Sequence, residues 1–251
     1  MRRFASLLAC LMLVAPSLQA ADIPDYIAKA VAAPERSAKD RERDARDKPA
    51  ELLAFAGLKS GMTAADVFGG GGYWSEILSR AVGPTGSATL VNNDGYANFA
   101  KDDIKVRFAD GRLKEVKQLV GKTSDLGMGK DKYDLIMIFM SYHDIYWVDE
   151  KEGWSKIDAD NFIKQLYAAL KTGGKLLIVD HAAKAGTGSS AAQDLHRIDE
   201  EFAKNDFTRH GFVLEKTWDG LRNSADDHSK QVFDPAIRGK TDRFTQLFVK
   251  P

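Results

Sequence analysis

The sequence predicts an α/β protein with a doubly wound, mostly parallel, seven-stranded sheet and helices on both faces. Segments of strand character alternate with segments of helix length, and each return crossover between parallel strands needs a helix. Two strand segments, 133–140 and 176–179, are nearly continuous apolar runs, as strands buried on both faces should be. A third apolar run, 65–68, passes into four glycines, Gly69 to Gly72, and then into a helix. Such a turn is where an α/β protein binds a nucleotide-like ligand.

The first 21 residues have the pattern of a secretory signal peptide. Arg2 and Arg3 precede an apolar run over 4–14, and small residues follow at the expected cleavage point. The apolar run is shorter than the roughly 20 residues that cross a bilayer. The sequence therefore predicts a periplasmic or secreted protein with no stable membrane anchor after signal removal. Cys10, the one cysteine of the chain, lies inside this segment, so the mature protein has neither disulfides nor thiolate metal sites.

Residues 22–49 precede the main domain, which is expected at 50–251. They are dense in charges of both signs. A solvated charged helix is one interpretation. The other is a lid over the glycine loop, with Arg43, Asp44 and Arg46 facing the ligand.

Strands and helices alternate through the rest of the chain. For the last strand an antiparallel direction is open. The strands are expected at 63–68, 88–92, 105–109, 133–140, 175–181, 212–218 and 243–249. The helices are expected at 50–56, 73–81, 98–101, 160–170 and 191–205.

The charge balance excludes one class of partner. Lysine plus arginine and aspartate plus glutamate each number 36, so the formal net charge is zero. A protein that binds nucleic acid through its phosphates usually carries a basic surface. The sequence therefore predicts no nucleic-acid partner, and it leaves the oligomeric state open.

Polar residues follow five of the predicted strands. In this topology a ligand binds beyond the carboxyl ends of the strands, where the strand order reverses. A purely structural sheet gives no reason for such a concentration of polar groups, so these residues form the candidate site. They are the glycines 69–72, then 92–94, 110–112, 141–144 and 180–181.

Over about residues 34–249 the chain resembles the class I, Rossmann-like S-adenosylmethionine-dependent methyltransferases. Residues 51–63 resemble the helix and Gly-Leu-Lys-x-Gly turn before the family's first strand, and 66–73 resemble its glycine loop. Residues 169–179 resemble its Gly-Gly turn and fifth strand. An exported subgroup of predicted methyltransferases has sequences similar to three C-terminal segments, at 195–199, 211–214 and 221–244. The resemblance implies a Rossmann-like methyltransferase fold.

The resemblance also implies S-adenosylmethionine as the cofactor. Gly70 and Gly72 would let the backbone approach its methionine portion, and Asp66 would anchor the loop or receive its amino group. Asn92 stands where the family usually holds the ribose hydroxyls with a carboxylate. An amide can still bond both hydroxyls, without the charge-assisted strength of a carboxylate. Asp110 would approach the adenine amino group.

Phe68 departs from the family pattern because it stands at the first glycine of the loop. Its side chain is expected either to cover the floor of the pocket or to narrow the pocket enough to prevent cofactor binding. The remaining candidates for cofactor binding are Gly69, Tyr73 and Gly111.

His143, Asp144 and His181 are the catalytic candidates. Methyl transfer from a sulfonium is an in-line displacement that needs mainly positioning and desolvation. A base helps only where the acceptor must lose a proton. Imidazole titrates near neutrality, and these three residues lie at the predicted rim of the pocket. In the structural alternative, His143 caps a strand end and His181 is a hydrogen-bonded neighbour of the site.

Two C-terminal groups, His196 with Asp199 and residues 226–228, carry side chains of the kind that bind divalent metals. His196 and Asp199 are expected on one face of a helix. No known ligand spacing is present, so no metal is predicted, and ion pairs are the favoured interpretation. Their expected partners are Arg222, Arg238 and Arg243.

Taken together, the sequence predicts S-adenosylmethionine-dependent methyl transfer to a small-molecule acceptor by direct in-line displacement. The alternative is a non-catalytic exported module that binds a nucleotide or small ligand and retains the methyltransferase fold. Phe68 and Asn92 favour this alternative because they depart from the family pattern. Export favours it because S-adenosylmethionine is made in the cytoplasm. An NAD-dependent oxidoreductase fits the glycine loop but not the resemblance after the fourth and fifth strands.

Overall fold

The computed structural model describes residues 22–251. The signal peptide predicted at 1–21 lies outside the described residues, so export stays a prediction. Within 22–251, no helix is both long enough and apolar enough to span a bilayer.

The structure confirms the predicted seven-stranded sheet. Its strands are β1 (Thr63–Val67), β2 (Ser87–Asn92), β3 (Val116–Val120), β4 (Tyr133–Phe139), β5 (Leu170–His181), β6 (Val213–Thr217) and β7 (Arg243–Val249). In space they follow the order β3-β2-β1-β4-β5-β7-β6. The last strand, β7, runs antiparallel to β5 and β6, and the other pairings are parallel. The order reverses between β1 and β4, which places the ligand crevice at their carboxyl ends.

Helices cover both faces of the sheet. They are α1 (Asp25–Val31), α2 (Ala38–Asp47), α3 (Pro49–Ala56), α4 (Tyr73–Val82), α5 (Asp94–Phe99), α6 (Lys101–Arg107), α7 (Ala159–Ala169), α8 (Ala191–Leu195) and α9 (Glu200–Arg209). Alternate residues of β4 enter separate apolar clusters, Ile136 with α7 and α9, and Leu135 with α3 and α4. Both faces of the central strands are therefore buried, which explains their continuous apolar runs.

The predicted third strand at 105–109 is wrong. That segment lies mainly in α6, and the predicted helix at 98–101 is the junction of α5 and α6. Its alternation of polar and apolar residues imitates a half-buried strand, yet Val106 is 75% exposed. The true edge strand is β3, in which Val116 alone is buried. An edge strand with one buried residue carries little apolar signal.

This shift also moves Asp110 and Gly111. Both were expected after the third strand, but they lie before β3, in an exposed 3-10 turn over Ala109–Gly111. Neither residue lines the cavity beside the glycine loop or the cavity at the carboxyl ends of β2, β3 and β4. Their placement after a strand end is therefore wrong, while the adenine contact of Asp110 and the cofactor contact of Gly111 stay predictions.

The predicted helix over 191–205 is broken into α8 and α9. His196 ends α8 in a left-handed conformation (φ 51°), and the Asp199 carboxylate caps α9 by accepting from the backbone N–H of Glu201. Between them, the fully buried Ile198 pairs with Ala182 next to β5. His196 and Asp199 consequently do not share a helix face.

Candidate ligand-binding and catalytic site

The glycine loop, Gly69–Gly72, turns around the buried carboxylate of Asp66. Asp66 Oδ2 accepts hydrogen bonds from the backbone N–H of Ser75 (3.0 Å) and from its hydroxyl (2.7 Å). A Cβ on Gly69 would lie 2.2 Å from that oxygen, so glycine is required there. The other oxygen, Oδ1, is buried without a hydrogen-bond partner, and burial raises the pKa of Asp66 to about 6. Asp66 thus anchors the loop through Oδ2, while among the described residues no hydrogen bond compensates for the burial of Oδ1.

Asn92, at the end of β2, is closed onto the glycine loop. Its Oδ1 accepts from the Gly70 N–H (3.0 Å), and its Nδ2 donates to the Gly70 carbonyl (2.9 Å). Both ends of the amide are used, and the side chain is buried. A carboxylate here could accept from the N–H but could not donate to the carbonyl. Asn92 thus fixes the loop with one hydrogen bond at each end of its amide, and its contact with the ribose hydroxyls stays a prediction.

Phe68 has a left-handed backbone (φ 55°) although it is not glycine. Its ring stacks on Tyr96 with a centroid separation of 4.7 Å and packs against Phe162 at 5.1 Å. The ring is buried in the apolar cluster on the α7 side of the sheet. Phe68 therefore fills space below the strand ends, and aromatic packing compensates for its backbone strain.

The N-terminal helix α2 lies over the glycine loop, as the lid interpretation requires. Tyr73, the first residue of α4, donates its hydroxyl to Asp44 (2.6 Å), and the Arg43 guanidinium stacks over the Tyr73 ring at 3.9 Å. From α6, Arg107 donates to the Gly71 carbonyl (2.6 Å) and to Asp40 on α2. A cavity of about 620 Å³, here called the loop cavity, lies between these groups. A lid movement of α2 stays a prediction.

A second cavity of about 300 Å³ opens at the carboxyl ends of β2, β3 and β4. We call it the strand-end cavity. It is lined by the exposed carboxylate Asp94, by residues 121–124 after β3, and by the indoles of Trp147 and Trp154. Sequence reasoning missed 121–124 because it misplaced β3. The loop cavity and the strand-end cavity share no lining residue. In the sequence, Gly70 lies between two residues that line the loop cavity, and Asn92 directly precedes a residue that lines the strand-end cavity.

His143 is held between two carboxylates. Its Nδ1 lies 2.8 Å from Asp180 Oδ1, and its Nε2 lies 3.1 Å from Asp144 Oδ1. Burial opposes the charged imidazole, but Asp144 and Asp180 outweigh it and raise the pKa of His143 to about 10. Burial likewise opposes ionisation of Asp144, but His143 outweighs it and holds the pKa of Asp144 well below its ordinary value. With both ring nitrogens engaged, His143 is not free to accept a proton.

His181, at the end of β5, has one ring nitrogen engaged. Its Nδ1 lies 2.7 Å from the hydroxyl of Thr241. Burial, together with the positive charges of His143 and Arg243, holds the pKa of His181 well below its ordinary value. In the part of the chain that the structure describes, its Nε2 has no hydrogen-bond partner. Among the three predicted catalytic residues, His181 is the neutral imidazole with a free nitrogen.

The C-terminal charged residues form ion pairs, but two of the expected arginines pair with carboxylates outside the two predicted groups. Arg243 pairs with Asp47 of α2 (2.7 Å), and Arg222 pairs with Glu200 and Asp242. Across residues 22–251, Arg238 makes no ion pair. Sequence reasoning missed one arginine. The partner of Asp226 is the fully buried Arg197, at 2.9 Å.

Known proteins resemble this chain in sequence at low identity. No family model matches it. The ubiquinone/menaquinone biosynthesis C-methyltransferase UbiE of Pseudomonas putida (strain GB-1) is 26% identical over 145 residues, which are 57% of this chain and 51% of the relative. UbiE of Haemophilus ducreyi is 25% identical over 126 residues, or 50% of this chain and 43% of the relative. The chain thus spans about half the length of the curated relatives it matches.

Solved structures resemble the chain over most of its length. An S-adenosylmethionine-dependent methyltransferase from Aquifex aeolicus has a TM-score of 0.53 at 17% identity, covering 84% of this chain and 98% of its own. Geranyl diphosphate C-methyltransferase from Streptomyces coelicolor, solved with Mg²⁺, geranyl diphosphate and S-adenosyl-L-homocysteine, has a TM-score of 0.53 at 13% identity, covering 91% and 89%. This chain therefore has the class I methyltransferase fold, as predicted.

Proposed function

We propose that this chain is an exported S-adenosylmethionine-dependent methyltransferase that acts on a small-molecule acceptor. The observation that carries the proposal is the glycine loop built around Asp66 at the carboxyl end of β1. It lies at the point of strand-order reversal, in a chain with the methyltransferase fold. Periplasmic or secreted localisation rests on residues 1–21 of the sequence.

The residues around the two cavities fit the cofactor by their chemistry. Asp66 Oδ1, buried without a partner beside Gly69, is suited to the ammonium of the methionine portion. The ribose hydroxyls can bond Asn92 or, if Asn92 stays closed onto Gly70, the exposed carboxylate of Asp94, and Trp147 and Trp154 offer aromatic faces for the adenine. When bound, S-adenosylmethionine supplies an electrophilic methyl group on a sulfonium.

The chain's own residues contribute mainly positioning and exclusion of water. Trp147 and Trp154, which contact each other edge to face, wall the strand-end cavity. Asp144 lines the same cavity and is held in place by His143. His181 keeps a ring nitrogen without a partner among the described residues, but its lowered pKa makes it a weak base and it lines neither cavity, so the proposal does not depend on a base.

One observation supports the non-catalytic binding module instead. The Asn92–Gly70 contact engages the amide that would hold the ribose, and the Phe68–Tyr96 stack fills the position of the family's first loop glycine, so a cofactor that needs either position must displace one of these contacts. Calorimetry of the purified protein with S-adenosylmethionine, S-adenosylhomocysteine and NAD separates the proposals. We expect both sulfur nucleotides to bind and NAD not to bind. Absence of binding by both sulfur nucleotides would contradict the methyltransferase proposal.

The Asn92→Asp variant tests where the cofactor lies. The carboxylate cannot donate to the Gly70 carbonyl, so the contact loosens, and it can bond ribose hydroxyls with charge assistance. We expect the dissociation constant for S-adenosylmethionine to fall by roughly five-fold, because bonds to charged groups contribute about 1 kcal/mol more than neutral ones. Calorimetry measures the change.

Asn93→Asp is the matched control for this variant. It adds the same charge one residue away, and an aspartate can retain the cap that Asn93 forms on α5. An equal gain in affinity from both variants would indicate a general charge effect. Unchanged or weaker binding in Asn92→Asp would place the ribose elsewhere.

A further inference from the structure

Three metal-ligating side chains meet beside the strand-end cavity, which one of them, Asp144, lines. They are His143, Asp144 and His196, and one donor atom from each lies within 4.8 Å of the other two. Asp144 Oδ1 lies 3.1 Å from His143 Nε2 and 3.6 Å from His196 Nδ1. In a tetrahedral site with metal–ligand bonds of 2.0–2.1 Å, donor atoms are about 3.3 Å apart. The observed separations bracket that value.

The charges around the cluster leave a cation site to be filled. Asp180 is fully buried and Asp144 is partly buried, and they lie on opposite sides of His143. Among the described residues, no lysine or arginine pairs with either carboxylate. Apart from the backbone N–H groups that Asp180 accepts, the partners of the two carboxylates are imidazoles and a tyrosine hydroxyl, a set of donors that suits a divalent ion.

A second layer of hydrogen bonds orients these ligands. The Nδ1 of His143 faces Asp180, which leaves Nε2 for the ion, as in the carboxylate–histidine–metal arrangement. Tyr96 donates its hydroxyl to the other oxygen of Asp144. His196 is held by its left-handed backbone and by the rings of Trp147 and Phe233, each 5.1 Å away. Strained backbone of this kind occurs often at functional sites.

A second cluster in the same protein lacks these features. Asp160, Asp206 and His210 also bring their donor atoms together. However, Arg209 pairs with both carboxylates, at 2.7 and 2.5 Å, and therefore already neutralises them. This outer cluster serves as an internal comparison.

We propose that His143, Asp144 and His196 bind a divalent first-row transition metal ion through two imidazole nitrogens and one carboxylate oxygen. Two histidines and a carboxylate form the donor set of catalytic zinc sites and of non-haem iron sites, both of which keep coordination positions open. Asp144 also lines the strand-end cavity, so a small polar molecule bound in that cavity lies next to the site. The proposal stands apart from methyl transfer, because the ion binds without the cofactor.

Zinc titration of the chelator-treated protein tests the site. We expect one Zn²⁺ per chain in calorimetry, and no comparable binding of Mg²⁺, which prefers oxygen ligands. Co²⁺ in place of Zn²⁺ should give visible absorption bands typical of coordination by two nitrogens and an oxygen. The His196→Ala variant should lose about 100-fold or more in Zn²⁺ affinity, and the positioning variant Asp180→Asn about 10- to 100-fold.

His210→Ala in the outer cluster is the matched control and should retain full Zn²⁺ affinity. His196 is partly exposed, so its replacement is expected to leave the fold intact, which the melting temperature without metal verifies. Zn²⁺ should raise the melting temperature of the native protein and of His210→Ala but not of His196→Ala. Equal binding by native protein and His196→Ala, or loss of binding in His210→Ala, would overturn the proposal in favour of a hydrogen-bonded network only.

Discussion

Replacing Asp47 with alanine is expected to lower the free energy of unfolding by about 3–5 kcal/mol, because it leaves a buried arginine without its partner. Asp47 is fully buried at the end of α2. Its carboxylate accepts from Arg243 of β7 (2.7 Å) and from Arg43 (2.6 Å). Arg243 is 5% exposed, so water cannot replace the lost carboxylate. Denaturant unfolding measures the loss.

The exposed pair Lys39–Asp103 provides the matched control. Asp103→Ala removes a carboxylate from an ion pair that water already solvates, and the expected change is within about 1 kcal/mol. The double variant Asp47→Leu with Arg243→Met should recover much of the loss, since apolar side chains can replace a buried ion pair. A loss below 1 kcal/mol in Asp47→Ala would contradict this account of how α2 is attached to the sheet.

The sequence allowed the central sheet to be predicted because burial leaves a strong pattern. The strand β4 is buried on both faces, and its apolar run identified it. The strand β3 lies at the sheet edge with most of its residues in water, so its composition resembles that of a loop. The misplacement of this one edge strand also misplaced Asp110 and hid residues 121–124.

The candidate site was harder to predict because its contacts join distant parts of the chain. His143 and Asp144 were recognised from their position after β4. His196 was considered only with Asp199, since a helix was expected through both, whereas the break at His196 turns it toward Asp144. No sequence spacing encodes such a meeting. The closure of Asn92 onto Gly70 is likewise visible only once β1 and β2 are paired.

Burial of Asp66 makes stability fall as the pH rises. Its pKa is about 6 in the folded protein against 3.8 in the unfolded chain, so the folded state holds the extra proton between these values. The contribution of Asp66 to stability is therefore greatest below about pH 4 and is lost as pH rises through 6, by about 3 kcal/mol in all. The Asp66→Asn variant lacks the titration. From pH 4 to 7, its free energy of unfolding should rise relative to the native protein by about 2 kcal/mol, the part of that change that falls between these pH values.

Denaturant unfolding of both proteins at several pH values measures this relative change in the free energy of unfolding. Any cost of losing the carboxylate that does not depend on pH drops out of the comparison. Asp102→Asn, which changes an exposed carboxylate on α6, should track the native protein. If the difference in free energy of unfolding between the native protein and Asp66→Asn did not change with pH, Asp66 would ionise in the folded protein without an energetic penalty. If the cofactor ammonium pairs with Oδ1, saturating S-adenosylmethionine should reduce the pH dependence of the native protein and leave that of Asp66→Asn unchanged. The ammonium would then compensate the ionised carboxylate where the protein leaves it without a partner.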